Sequence, residues 1–140
     1  MRIVGPTPAV LVVEDEPDLC QKIAESLEAD GFSVAQSQTA ADAFERLENY
    51  AYDGLVVDLQ LPDADGLEVL DQAMWRYPDI KCIVVTGAGG VDAGAHAMTR
   101  GAIDFLIKPF QVMRPVQILK AAINERRLQM ENVELRARLQ

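Results

Sequence analysis

The chain is short of the residues that announce chemistry on their own. Its 140 residues hold one histidine, one tryptophan and two cysteines. Cys20 and Cys82 lie far apart, with neither a Cys-x-x-Cys pair nor metal-ligand spacing. That argues against a zinc ribbon or a redox motif and leaves two buried free thiols in a reducing compartment. The lone histidine, His96, sits in a weakly helical stretch and reads as a surface residue. Positive charge is also scarce, with 13 Lys and Arg against 22 Asp and Glu and a net charge of -9. A nucleic-acid-binding surface on this segment is therefore not expected. No apolar run approaches membrane-spanning length, and the N-terminus lacks the long apolar core of a signal peptide. The expectation is no membrane contact and a cytoplasmic location.

What is present suits one soluble domain: 49% hydrophobic and 25% charged residues. After a loose lead-in over 1–8, Ala9 to Val13 form a continuous apolar run, as expected of a central parallel strand covered on both faces. The run breaks into Glu14-Asp15-Glu16. Pro17 fits a first helical position, Leu19, Ile23 and Leu27 recur every four residues, and Gly31 supplies the C-terminal cap. Phe32 to Ala35 predict a second strand. Thr39 with Asp42 resembles an acidic capping box, opening a helix with Ala40, Ala43, Phe44 and Leu47 inward. Gly54 to Asp58 predict the third strand, followed by a turn built on Pro62 and closed by Gly66. Leu67, Leu70 and Met74 mark a third helix that Pro78 stops. Cys82 to Val85 predict a strand ending at Thr86. A glycine-rich stretch, Gly87 to Gly94, leads into a helix closed by Gly101. Glycine inside a helix costs about 1 kcal/mol relative to alanine, so this fourth helix should be marginal and mobile. Ile103 to Ile107 predict the fifth strand, ending at Lys108-Pro109, and the last helix begins near Pro115.

Strands alternating with helices predict an α/β domain with a doubly wound parallel sheet. Right-handed crossovers place all five strand ends on one edge. The polar residues there are Glu14, Asp15, Asp58, Thr86 and Lys108. Carboxylates gathered at one edge repel one another and call for a divalent cation, and Mg²⁺ takes a carboxylate or two with waters and phosphate oxygens. A carboxylate can act as nucleophile toward phosphorus, while a lysine neutralises the transferring group and a hydroxyl bonds it. Any one of these residues alone would more often be merely solvated. The whole set on successive strand tips points to a site.

These residues resemble the receiver domain of two-component response regulators over about 9–124. The acidic pair Glu14-Asp15, the acceptor Asp58 with Pro62 and Gly66, Thr86-Gly87 and Lys108-Pro109 stand in the family's order. The resemblance implies a flavodoxin-like fold with five-stranded sheet order 2-1-3-4-5. It also implies Mg²⁺-dependent transfer of phosphate to Asp58 from a sensor histidine kinase or phosphotransfer protein, whose histidine, not His96, is the donor. Glu14, Asp15, Asp58 and the Gln60 backbone carbonyl would hold the metal, and Thr86 and Phe105 would be the switch pair. A cis Lys108–Pro109 peptide is implied as well. The departures are small: Glu14 stands where many members have Asp, and Phe105 lacks the hydroxyl of the tyrosine variant.

The last helix outlasts what a receiver needs. Leu128, Asn132, Leu135 and Leu139 follow a heptad-like seam, predicting a helical extension over 125–140 and a homodimer through it. The seam runs to Gln140 without a cap, so the natural chain is expected to continue, in the manner of receivers fused to ATPase-type transcription activators. Three other readings fit less of the sequence. A haloacid-dehalogenase phosphatase would want an Asp where Gln60 stands. A flavin carrier would replace the acidic Glu14-Asp15-Glu16 turn with a phosphate loop. A degenerate scaffold receiver would have lost part of the site.

Overall fold

A computed structural model describes residues 7–139. Five strands alternate with five helices: β1 Ala9–Val13, α1 Pro17–Ala29, β2 Ser33–Ser37, α2 Ala40–Asn49, β3 Gly54–Asp58, α3 Gly66–Arg76, β4 Lys81–Thr86, α4 Val91–Thr99, β5 Asp104–Ile107 and α5 Met113–Leu139. The strands form one parallel sheet in the order β2-β1-β3-β4-β5, which is the doubly wound arrangement expected. Most of the lead-in lies outside the described residues.

Alternation along the strands divides the core into two layers. Leu11, Val13, Leu55, Val57, Cys82 and Val84 face α2, α3 and α4, where Leu47, Val69, Leu70 and Ala97 meet them. Val10, Val12, Val56, Ile83 and Val85 face α1 and α5 and pack on Cys20, Ile23, Leu27, Val116, Leu119 and Ile123. Covered on both faces, the central strands can be apolar at every position. Burial pushes the Cys20 thiol up to about 11 and the Cys82 thiol up to about 12, so both are inert packing residues.

Local details refine the sequence reading. β2 begins one residue later than expected and runs on to Ser37, because parallel pairing with β1 continues from Ala9↔Ser33 to Val13↔Ser37. β5 starts at Asp104, and α5 starts two residues before Pro115. Gly31, at φ 98°, ends α1 as expected of a left-handed C-terminal residue. The capping box on α2 is only half made. The Thr39 hydroxyl accepts from the Asp42 N–H at 3.1 Å, but the Asp42 carboxylate turns away to Ser37 Oγ and Arg46 Nε. An aspartate has found stronger partners beside it than the backbone N–H the motif assigns.

α5 stays in contact with the domain through Arg126. This arginine is 6% exposed, lies 3.2 Å from the nearly inaccessible Asp53 carboxylate and donates to the Asp79 carbonyl at 3.1 Å. Asp53 in turn accepts the Ala9 N–H at 2.8 Å. The middle of the long helix is thereby pinned beside the start of β3, the strand whose other end carries Asp58. Beyond Met130 every described residue of α5 is exposed.

Candidate phosphoacceptor site

Each strand delivers its last residue to the same edge of the sheet, since parallel strands in register all end there. β1 runs into Glu14, held at the edge by a bond from its N–H to the Ser37 carbonyl at 2.9 Å. β3 ends at Asp58, which is buried, and its Oδ1 accepts the Gln60 N–H at 2.8 Å. β5 leads to Lys108, whose N–H bonds the Thr86 carbonyl at 2.8 Å and so ties the ends of β4 and β5. The Lys108–Pro109 peptide is cis, as the resemblance implied.

The charges then meet. Lys108 Nζ lies 2.8 Å from Asp58 Oδ2, 2.9 Å from Glu14 Oε1 and 3.5 Å from Glu16 Oε1. Burial alone would lower the lysine's pKa, but Asp58 and then Glu14 outweigh it and hold the ammonium charged well above its ordinary range. Glu14 shows the opposite balance. Burial, reinforced by the Asp58 charge, pushes its carboxyl up to about 7 against the lowering pull of Lys108 and the Glu16 N–H. One positive charge thus faces three carboxylates, two of them desolvated.

Glu14, Asp15 and Asp58 each bring a carboxylate oxygen within 4.8 Å of the others. Glu14 Oε1 is fully buried and, although ion-paired with Lys108, makes no hydrogen bond. A hard-cation ligand set has this character: oxygen donors, excess negative charge and an incompletely satisfied buried oxygen. The residues fit a divalent cation such as Mg²⁺.

The loop after Asp58 explains Gly66. A Cβ there would collide with the Asp58 carbonyl, and the Gly66 N–H donates to the Leu59 carbonyl at 2.9 Å. Gln60 pairs with Asp65 in an isolated bridge, and Asp65 caps α3 through the Leu67 N–H at 3.0 Å. Thr86 is buried at the end of β4 with its hydroxyl against Gly90, where any side chain would displace it. Phe105, half-buried on β5, lays its ring on Gly94, and a Cβ there would strike the ring. Gly90, the N-cap of α4, and Gly94, inside its first turn, lie four residues apart, so the two expected switch residues meet the same end of the helix. Gly94, the glycine inside the helix, is the one that admits Phe105, while Gly90 at the cap admits Thr86.

The structure therefore brings Glu14, Asp15, Asp58 and Lys108 together, sets Thr86 on the neighbouring strand end and places Phe105 one strand further out. The seam residues Leu128, Asn132, Leu135 and Leu139 lie exposed on α5, away from this edge. Reasoning from sequence missed Glu16 as a third carboxylate on Lys108, although the acidic triplet carried that signal. It also missed Gly90, whose need appears only in three dimensions.

Comparison with known proteins agrees with this geometry. The family model described as "Response regulator receiver domain" matches residues 10–121. The C4-dicarboxylate transport transcriptional regulatory protein DctD of Rhizobium meliloti is 36% identical over 130 residues, covering 92% of this chain and 28% of the relative. The chain thus spans under a third of that relative's length. Among solved structures, a CheY-like response regulator receiver domain protein from Methanospirillum hungatei superposes with a TM-score of 0.81 at 25% identity, covering 88% of this chain and 98% of that one. A response regulator from Burkholderia pseudomallei, described as carrying a phosphorylated aspartic acid and a calcium ion, gives 0.75 at 26% identity over 89% of this chain and 72% of its own.

Proposed function

The chain belongs to the response regulator receiver family of two-component systems, a signalling module with phosphoacceptor function, and on that premise we propose that Asp58 is the acceptor. The observation that carries this assignment is the Asp58 carboxylate at the tip of β3, 2.8 Å from Lys108 and inside the acidic cluster. An Asp58 oxygen attacks the phosphorus of a partner's phosphohistidine. The new P–O bond replaces the P–N bond, and the imidazole leaves with the electron pair and takes up a proton. Glu14, Asp15, Asp58 and the Gln60 carbonyl would hold Mg²⁺, which when bound would supply positive charge against the transferring group. Lys108 shifts from the carboxylates to the phosphoryl oxygens, and the Thr86 hydroxyl donates to one of them. Thr86 then leaves its place on Gly90 and Phe105 follows, which changes the α4–β5 surface that an output partner reads.

The donor is a sensor histidine kinase or a phosphotransfer protein. A cavity of about 490 Å³ beside Lys108, lined by Leu19, Lys22, Pro109 and Phe110 with Glu16 and Asp18, offers it a mixed apolar and charged seat. The segment from residue 125 to the last described residue, 139, acts as a helical linker. Leu128 and Leu135, 60% and 55% exposed, with Asn132 and Leu139 form the seam of a homodimer. The output is control of transcription by a longer cytoplasmic regulator, a reading supported by the transcriptional relative and by the absence, among the described residues, of any helix long and apolar enough to cross a membrane.

The test is incubation with acetyl phosphate and Mg²⁺ followed by intact mass measurement, with a beryllofluoride titration as a donor-independent check. The wild type gains one phosphoryl group and Asp58→Asn gains none. An adduct retained by Asp58→Asn, or no response to either reagent, refutes the assignment.

A further inference from the structure

The first turn of α2 presents the N–H groups of Ala40, Ala41 and Asp42 without carbonyl partners in the helix, and the structure accounts for all three. Thr39 serves one: its hydroxyl accepts from Asp42 at 3.1 Å, while its carbonyl takes the first regular helical bond, from Ala43 at 3.2 Å. The other two are taken from a distance. Asp63 Oδ1 accepts the Ala40 N–H at 2.8 Å and Asp63 Oδ2 accepts the Ala41 N–H at 2.9 Å. Those two bonds hold the Asp63 carboxyl below the usual carboxylate range despite its exposure. A carboxylate at the positive end of a helix, with both oxygens bonded, is a strong and directional tie.

Asp63 sits in the loop that begins at the acceptor. Near Asp58 the loop is fixed by the Gln60 N–H, and at its far end by the Gln60–Asp65 bridge and the Asp65 cap of α3. Leu61 and Ala64 pack against the core, which sets the depth of the tip but not its direction. Among the described residues, the Asp63 side chain supplies the loop's only hydrogen bonds to α2. With both oxygens committed to α2, Asp63 is not available as a ligand itself. We propose that Asp63 is a positioning residue for the metal site: by clamping the loop to the N-terminus of α2 it fixes the Gln60 carbonyl relative to the Asp58, Glu14 and Asp15 carboxylates. The inference rests on the metal reading of that cluster.

Mg²⁺ affinity, measured by calorimetric or NMR titration without phosphodonor, tests it alongside thermal stability. Thr39→Ala removes a cap from the same helix without touching the loop and serves as the structural control. Asp63→Ala is expected to bind Mg²⁺ more weakly by on the order of fivefold, the equilibrium weight of one net hydrogen bond in the tie between loop and helix. Asp63→Asn, which keeps one acceptor oxygen, falls between and carries the test if the alanine variant does not fold. Thr39→Ala lowers the melting temperature and leaves Mg²⁺ affinity at the wild-type value. Wild-type affinity in both Asp63 variants, or an equal loss in Thr39→Ala, overturns the proposal while the metal reading stands. A wild type that binds no Mg²⁺ overturns the metal reading and this proposal with it.

Discussion

Replacing Glu14 by glutamine should stabilise the metal-free domain at high pH. Glu14 is 2% exposed, and its carboxyl is pushed from 4.5 up to about 7, chiefly by burial. A carboxyl whose folded pKa lies above its unfolded value binds more protons folded than unfolded. Its ionisation therefore erodes stability as pH rises from the unfolded pKa to the folded one. The gap is worth about 3 kcal/mol at pH 8, where Glu14 is ionised in both states, and about 1 kcal/mol at pH 5. Glu14→Gln keeps the shape and removes the charge, so urea denaturation in chelator should find it more stable than wild type by up to about 3 kcal/mol at pH 8. The gain should shrink to about a third of that at pH 5. Mg²⁺ should reverse the order, because a cation bound only by the folded site stabilises the wild type by mass action and does less for the variant. A variant less stable than wild type at pH 8, or a difference that ignores pH, would refute the reasoning. Either outcome would mean that Lys108 alone satisfies the buried charge.

Two further predictions concern α5. Arg126→Leu removes the buried guanidinium that lies 3.2 Å from the Asp53 carboxylate and donates to the Asp79 carbonyl, and should cost about 3 kcal/mol and roughly 10 °C in melting temperature. Adding Asp53→Asn should restore much of that loss; a loss in the single variant under about 1 kcal/mol would show the pair to be dispensable. Sedimentation at micromolar concentration should find the wild type dimeric and the Leu128→Ser, Leu135→Ser double variant monomeric. A wild type that stays monomeric in both phosphorylation states removes the seam.

Much of this protein was legible in its sequence because the fold rests on local patterns. Apolar runs such as Ala9 to Val13 and Leu55 to Val57 mark strands buried on both faces, and Pro17, Gly31 and Pro78 mark where helices start and stop. Once the strands alternate with helices, their shared parallel direction brings Glu14, Asp58, Thr86 and Lys108 to one edge. What was not legible depends on pairs distant in the chain. Asp63 reads as one more turn residue until α2 is seen to end against it. Arg126 falls in a stretch rich in Glu and Arg that reads as solvated, and nothing nearby says that Asp53 waits for it. Gly90 and Gly94, at the cap and in the first turn of the fourth helix, read as weakness, because the bulk they make room for, Thr86 and Phe105, comes from two strands.

The most direct test asks which carboxylate carries the phosphoryl group. Reduction of the acetyl-phosphate-treated protein with borohydride converts an acyl phosphate to the alcohol, and peptide mapping then locates the reduced residue. The account predicts a single Mg²⁺-dependent reduction, on Asp58, with Glu14, Asp15 and Asp63 unmodified. Reduction at any of those three residues instead of Asp58 would contradict it.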